Sequence, residues 1–123
     1  MKNKGGENVK YNYKVRVLEV RGKKKLRFDL PSNMELISIF LAYDVQSRPE
    51  SVNESLDKVI GGSSNYERWN GNICGLEITK ETIKVYDNLA EDGIGKTCEI
   101  ETVELRELMD IWMHELQKFK KNK

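Results

Sequence analysis

Hydrophobic and polar positions alternate along the first part of this 123-residue chain. From residue 9, aromatic and β-branched side chains recur at about every second position, with lysine and arginine between them. This period of two is typical of a half-buried β-strand. Gly22 and three consecutive lysines then indicate a turn, and residues 26–30 have the composition of a second strand. The pattern therefore predicts a β-hairpin over residues 9–30.

The period changes after Pro31. Ser32 and Glu35 have the capping-box spacing, in which a hydroxyl and a carboxylate three residues apart bond to free amides at a helix start. Apolar residues follow at helical spacing, which predicts a helix over residues 36–45 that ends near Gln46. The short apolar run within it is also compatible with a buried strand, but the cap and the Met, Glu, Leu and Ala content favour the helix.

A second helix is predicted after the next loop. Ser51 and Glu54 repeat the capping pattern, and the apolar positions that follow keep helical spacing up to Ile60. Gly61-Gly62 is expected to end this helix, because glycine accepts the left-handed conformation of a helix C-terminus at little cost.

The C-terminal half begins with short alternating stretches separated by turn residues. This pattern predicts an antiparallel meander with a turn or bulge at Asn70-Gly71-Asn72 and a surface loop over residues 88–96. Strands are expected at residues 66–69, 73–78, 82–86 and 97–100. A final helix, capped by Thr102, is predicted from an apolar stripe that includes Trp112.

These elements predict an α+β fold. We expect one antiparallel sheet, built from the N-terminal hairpin and the central meander, with three helices packed mainly on one of its faces. A chain of this length is expected to form one domain. The expected division is a flexible tail at residues 1–8, a single domain at residues 9–119 and a basic tail at residues 120–123.

Charge is distributed unevenly along the chain. Residues 1–30 carry ten Lys/Arg and three Asp/Glu, residues 31–117 carry seven Lys/Arg and 17 Asp/Glu, and the last six residues add four lysines. The formal net charge of +1 therefore conceals an acidic body between two basic ends. An acidic surface can steer and select a basic partner through long-range electrostatic fields.

The residue inventory offers little for catalysis. His114 is the single histidine, and we expect an exposed structural role for it. Cys74 and Cys98 are interpreted as small buried residues, and no His/Cys/Asp cluster has metal-ligand spacing. Acidic residues are too numerous for one pair to stand out as an acid/base pair. We therefore expect no enzyme activity, no catalytic residues, no cofactor, no metal and no small-molecule substrate.

Membrane and secretion signals are not recognised in the chain. No apolar run approaches the roughly 20 residues that span a bilayer. The first ten residues are basic and polar, without the apolar core of a secretory signal. We therefore expect a cytoplasmic protein with no membrane partner.

A basic cluster extends from Arg21 to Arg27, near aromatic residues of the predicted hairpin. A nucleic-acid-binding or regulatory module is one interpretation of this cluster. We favour the other, a solubilising hairpin tip whose lysines protect an edge strand, because the whole chain is not basic. Nucleic acid is therefore not the expected partner.

Three segments resemble a known family. They are FLAYDVQ at residues 40–46, WNGNICGLEI at residues 69–78 and VELRELMDIW at residues 103–112. Together they resemble small immunity proteins of contact-dependent growth inhibition and related bacterial polymorphic-toxin systems. In that group a helix ends in an Asp-aliphatic-Gln stretch, a Gly-Asn strand follows, and a terminal helix carries a Leu…Trp pattern. The resemblance spans residues 36–116 and matches the basic hairpin least well.

The resemblance implies a protein that binds and neutralises one cognate toxin, often a nuclease, inside the producing cell. Nucleases are commonly basic where they hold phosphates, so an acidic inhibitor can cover that site. The residues that we assign to partner binding are Asp44, Gln46, Glu50, Glu54, Asp57 and Tyr66. Asp44 and Gln46 have an alternative interpretation, since such side chains often stabilise turns through backbone hydrogen bonds.

Overall fold

The computed structural model describes residues 10–89 and 97–121. The predicted tail at residues 1–8, residues 90–96 of the predicted loop and residues 122–123 of the basic tail lie outside the described residues. The α+β class is confirmed. In chain order, the elements are β1 Lys14–Val20, β2 Lys23–Asp29, α1 Glu35–Ile39, α2 Glu50–Ile60, β3 Tyr66–Asn70, β4 Cys74–Thr79, β5 Thr82–Asp87, β6 Thr97–Glu101 and α3 Thr102–Lys121.

The predicted hairpin is confirmed over residues 14–29, but its first strand starts later than expected, at Lys14, and residue 9 lies outside the described residues. β1 and β2 pair antiparallel, and Val20↔Lys23 is the pair beside the turn. Arg21 (φ 54°) and Gly22 (φ 79°) between them both have positive φ, as a type I′ turn requires. Glycine at the second of these positions lowers the steric cost of this turn.

The strands are divided between two sheets, whereas a single sheet was expected. β1 and β2 form one sheet, and β3 to β6 form the other. The division arises because one face of β2 packs into the core, where its side chains Leu26 and Phe28 are buried. The Phe28 ring meets Trp112 of α3 edge-on, with 5.2 Å between ring centroids. The hairpin therefore covers helices instead of extending the edge of the other sheet.

The predicted meander is confirmed, with strands in the order β3-β4-β5-β6. Side chains alternate between the two faces of each strand. The three helices pack on one face: α1 contacts β5 and β6, α2 contacts β3 and β4, and α3 contacts β6. The buried residues on that face include Leu76, Ile78, Ile83, Val85 and Ile100.

The first predicted helix is confirmed, although its geometry changes along its length. A 3₁₀ turn at Ser32–Met34 leads into α1, which continues as a π-helical segment at Phe40–Val45. The predicted capping box is wrong, because no side chain caps this helix start. The Glu35 carboxylate instead lies 2.6 Å from the Arg27 guanidinium of β2.

The second predicted helix starts one residue earlier than its predicted cap. α2 begins at Glu50, and no side chain caps it. The Ser51 hydroxyl instead accepts a hydrogen bond from Trp69 Nε1 at 2.9 Å, which joins α2 to β3. The helix ends at Ile60, before Gly61-Gly62, as predicted.

The last helix closes the apolar core. Its first residue, Thr102, donates its hydroxyl to the carbonyl of Thr79 at 2.6 Å, so the helix start is tied to the end of β4. The amide of Thr102 also donates to the carbonyl of Glu81 at 3.1 Å. The predicted apolar stripe is buried and includes Leu105, Leu108, Met109, Trp112 and Leu116.

Candidate partner-binding site

Three of the predicted partner-binding residues lie on one face of α2. Glu50, Glu54 and Asp57 are spaced four and three residues apart, which places side chains on the same side of an α-helix. All three are exposed, while Val52 and Leu56 on the opposite side are fully buried. We call Glu50, Glu54 and Asp57 the acidic face of α2.

Arg106 of α3 lies between Asp57 and Asp110. Its Nε is 2.9 Å from the Asp57 carboxylate, and its Nη1 is 2.7 Å from the Asp110 carboxylate. The hydrogen bond with Asp57 is the largest of the effects that raise the pKa of Arg106. Since one cation serves two carboxylates, negative charge remains in excess beside the acidic face of α2.

Tyr66 begins the strand that packs against α2. Half of its surface, 50%, is exposed. Trp69, three residues further along β3, is fastened by its hydrogen bond to Ser51 and by an edge-on contact with Phe40, at 5.5 Å between ring centroids. Trp69 therefore anchors the strand to the helices. Tyr66 pairs with Thr79, so its side chain lies on the other face of β3, away from α2.

The structure gives the carboxylate of Asp44 an internal role. It accepts hydrogen bonds from the backbone amides of Asn72, Ile73 and Cys74, at 3.1, 3.1 and 2.8 Å. A Cβ atom at Gly71 would lie only 2.6 Å from this carboxylate, so the close approach depends on glycine. These contacts favour the turn-stabilising interpretation of Asp44 over a partner contact.

Gln46 has a backbone conformation that is rare for residues with a side chain. Its φ is 50° and its ψ is −118°, and the amide of Arg48 donates to the carbonyl of Val45 at 2.8 Å. This is a type II′ turn, whose first central position favours glycine. The side-chain amide of Gln46 donates to the backbone carbonyl of Tyr43 at 2.8 Å. The backbone carbonyl of Gln46 accepts from Trp112 Nε1 at 2.7 Å.

Two basic segments that are distant in sequence converge in the structure, which the sequence pattern did not predict. Gln46 lines a cavity of about 180 Å³ together with Lys24 and Lys25 of the hairpin and Lys120 of α3. A neighbouring groove adds Lys118. The two basic ends of the chain therefore meet on one surface. Their shared positive charge is the feature that they have in common in the sequence, and it does not by itself indicate that they lie together. Gln46 belongs to this surface, apart from its predicted companions on α2.

His114 and the two cysteines lie in different surroundings. His114 is exposed on α3. Cys74 and Cys98 are free thiols, and burial raises their pKa to about 12 and about 11, so both are protonated at neutral pH and poorly nucleophilic. Within residues 10–89 and 97–121, no group of three or more His, Cys, Asp or Glu side chains is placed to hold a metal ion, and no helix has the length and apolar character to span a membrane.

Comparison with known proteins identifies a close relative. A curated protein of Bacillus cereus, named "Immunity protein", is 46% identical to this chain over 115 residues. The match covers 94% of this chain and 96% of the relative. No protein-family model matches the chain, and no solved structure matches it.

Proposed function

We propose that this chain, which belongs to the family of immunity proteins, binds one cognate bacterial toxin and thereby neutralises it. The relationship to the Bacillus cereus protein, at 46% identity over 94% of the chain, carries the proposal. The family relationship supports an immunity function for this chain. A toxin of a contact-dependent or related polymorphic system, and action in the cytoplasm of the producing cell, are the finer parts of the proposal.

The acidic face of α2 is the proposed contact surface. Among the described residues, the carboxylates of Glu50 and Glu54 have no hydrogen-bond or ion-pair partner. A toxin can therefore engage both of them without breaking an internal bond. Asp57 adds a third negative charge. Tyr66, the other predicted contact, is an exposed aromatic ring on the opposite face of β3, so it stands apart from this surface.

Charge supports a nuclease as the target class. Nucleases need basic side chains where they hold nucleic-acid phosphates, so their active surface attracts an acidic protein. Such attraction speeds encounter and selects the partner. Inhibition of this kind is stoichiometric, and it requires no catalytic residue, cofactor or metal on the immunity protein.

The test uses the purified chain and the toxin domain encoded beside its gene. Calorimetric titration should give saturable binding, and co-expression should protect cells from the toxin. Glu54→Lys should weaken the affinity by about tenfold or more, because it places a positive charge opposite a basic surface. The helix itself should tolerate the substitution, since Glu54 is exposed.

Glu99→Lys is the matched control. Glu99 is also exposed but lies on β6, at the edge of the sheet opposite to β3, and the change in charge is the same. Its effect on affinity should stay within about twofold, as expected for a charge outside the contact surface. Failure of the neighbouring gene product to bind, or to be neutralised, would overturn the proposed function. Equal effects of the two substitutions would overturn the acidic face of α2 as the contact surface.

A further inference from the structure

The outer edge of β1 is unpaired within the described residues, where β2 is its one strand neighbour. In a two-residue hairpin the pair beside the turn is hydrogen-bonded, and bonded and non-bonded pairs then alternate. Because Val20↔Lys23 is the pair beside the turn, the backbone N–H and C=O groups of Val15, Val17 and Glu19 point away from β2. They form a row of donors and acceptors that another strand can use.

Two valines of β1 are exposed on the apolar side of the hairpin. Val15 pairs with Phe28, and Val17 pairs with Leu26, so each valine shares a face with its partner. Phe28 and Leu26 are buried, at 0% and 3% exposure, whereas Val15 and Val17 are 43% and 51% exposed. β1 therefore extends beyond the helices that cover β2 and presents an apolar ledge.

A groove of about 480 Å³ lies between this ledge and the end of α3. Its apolar lining is Val15 and Val17 of β1, Leu26 of β2 and Phe119 of α3. Lys24 of β2 and Lys118 of α3 also line it. The acidic residue of the groove, Glu115, lies 3.6 Å from Lys118.

We propose that β1 is a docking strand for an extended segment of a partner protein, in which acidic side chains alternate with apolar ones. The backbone of that segment bonds to the free edge of β1, as in other cases of strand addition. Its apolar side chains cover Val15 and Val17. Because side chains alternate along a strand, its acidic side chains lie on the other face of the hairpin, beside Lys14, Arg16 and Lys25. This surface is separate from the acidic face of α2, and the proposal does not depend on toxin neutralisation.

Charge distinguishes this occupant from its alternatives. Residues 14–29 carry seven Lys/Arg and two Asp/Glu, so two copies of the chain would repel each other at this edge. Single-stranded nucleic acid is held by exposed aromatic rings as well as by cations, whereas this groove is mainly aliphatic and its one ring, Phe119, is partly buried. An acidic polypeptide suits the edge, the ledge and the charge together.

The test uses the whole chain and a fluorescently labelled peptide of alternating valine and glutamate. A length of roughly nine residues covers the seven residues of β1. We expect saturable binding, with slower hydrogen exchange at the amides of Val15, Val17 and Glu19. The amide of Val20, which bonds within the hairpin, should not change. Val17→Glu should weaken binding by about tenfold or more, because it places a charge against the apolar side chains of the peptide.

Val103→Glu is the matched control. Val103 is 57% exposed but lies in the first turn of α3, at the end of that helix away from Lys118 and Phe119, so affinity should stay within about twofold. Absence of saturable binding, or binding without protection of those three amides, overturns the proposal. The proposal is also overturned if a peptide with lysine in place of glutamate binds with equal affinity. Preference for a single-stranded RNA oligonucleotide would overturn it too, as would self-association of the chain through β1. The experiment contains no toxin, so its failure leaves the proposed function unaffected.

Discussion

The carboxylate of Asp44 and the backbone amide of Cys74 form a 2.8 Å hydrogen bond across 30 residues of sequence. The bond joins the π-helical segment, near its end, to the first residue of β4. Two further amides of the same loop share the carboxylate. The end of the first helix therefore determines where β4 begins, and with it the position of the meander against the helices.

Asp44→Ala is expected to lower the free energy of unfolding by about 2–3 kcal/mol, because three backbone amides lose a charged acceptor. Urea unfolding measures this change. Glu54→Ala is the control: its carboxylate is exposed, and its substitution should change stability by less than about 0.5 kcal/mol. If the two variants are equally stable and Asp44→Ala loses toxin binding, Asp44 contacts the toxin and does not serve the loop.

Gly71→Ala should weaken the same loop. The new Cβ would lie 2.6 Å from the Asp44 carboxylate and 2.8 Å from the Trp69 ring, so one of these groups must move, at a cost of about 1–3 kcal/mol. Asn72→Ala is the control, because that residue contributes its backbone amide to Asp44 and its side chain is exposed. Since both substitutions disrupt one contact, the Asp44→Ala/Gly71→Ala double variant should lose less stability than the sum of the single variants. Strict additivity would show that the two residues are independent.

The fold class could be predicted because its signals are local. Alternation and turn residues define the hairpin and the meander, and helical spacing defines the helices. The division into two sheets could not be predicted, because the pattern of a strand shows that one face is buried but not what covers it. Leu26 and Phe28 alternate as a sheet-forming strand would, yet a helix is what covers Phe28.

The capping patterns failed for a related reason. The spacing at Glu35 and Ser51 satisfied the local rule, but Arg27 and Trp69 occupy these two side chains instead. Long-range partners that arrive with the tertiary fold can override a local preference that contributes about 1 kcal/mol. The same limit applies to the candidate site. Helical spacing is enough to put Glu50, Glu54 and Asp57 on one side of α2, whereas no local pattern indicates the partners of Asp44.

Stability should depend on pH through Glu101. Hydrogen bonds from the Lys10 ammonium and the Tyr11 hydroxyl lower the pKa of Glu101 from 4.5 to about 2. Because the folded-state pKa is depressed, this contribution is present above about pH 4.5 and is lost as the pH falls through about 2. The expected size is at most about 1 kcal/mol, since the network is partly exposed and screened by solvent.

Glu101→Gln tests this assignment. Urea unfolding at a series of pH values should show the wild-type chain to be the more stable at pH 7, with a difference that narrows in acid and disappears near pH 2. Glu99→Gln, two residues earlier on β6 and exposed, is the control and should show no such convergence. A constant difference between wild type and Glu101→Gln at every pH would mean that the carboxylate charge does not contribute.

Gln46 offers a comparison of strain with function. A residue with a side chain in the conformation of Gln46 costs about 1–3 kcal/mol, and glycine removes that strain at an entropic cost of about 0.5–1 kcal/mol. Gln46→Gly should therefore be more stable than Gln46→Ala by about 1 kcal/mol, because both lose the side chain and only glycine suits the turn. Thermal unfolding measures this difference.

Binding distinguishes the two roles of Gln46. If its side chain contacts the toxin, Gln46→Gly and Gln46→Ala should lose affinity equally, because both lack that side chain. Their stabilities should still differ, because only glycine suits the turn. If the side chain serves the turn alone, through its bond to the carbonyl of Tyr43, both variants should bind the toxin as tightly as the wild-type chain. Because Gln46 lies apart from the acidic face of α2, we expect the second outcome, and calorimetric titration of the two variants decides between them.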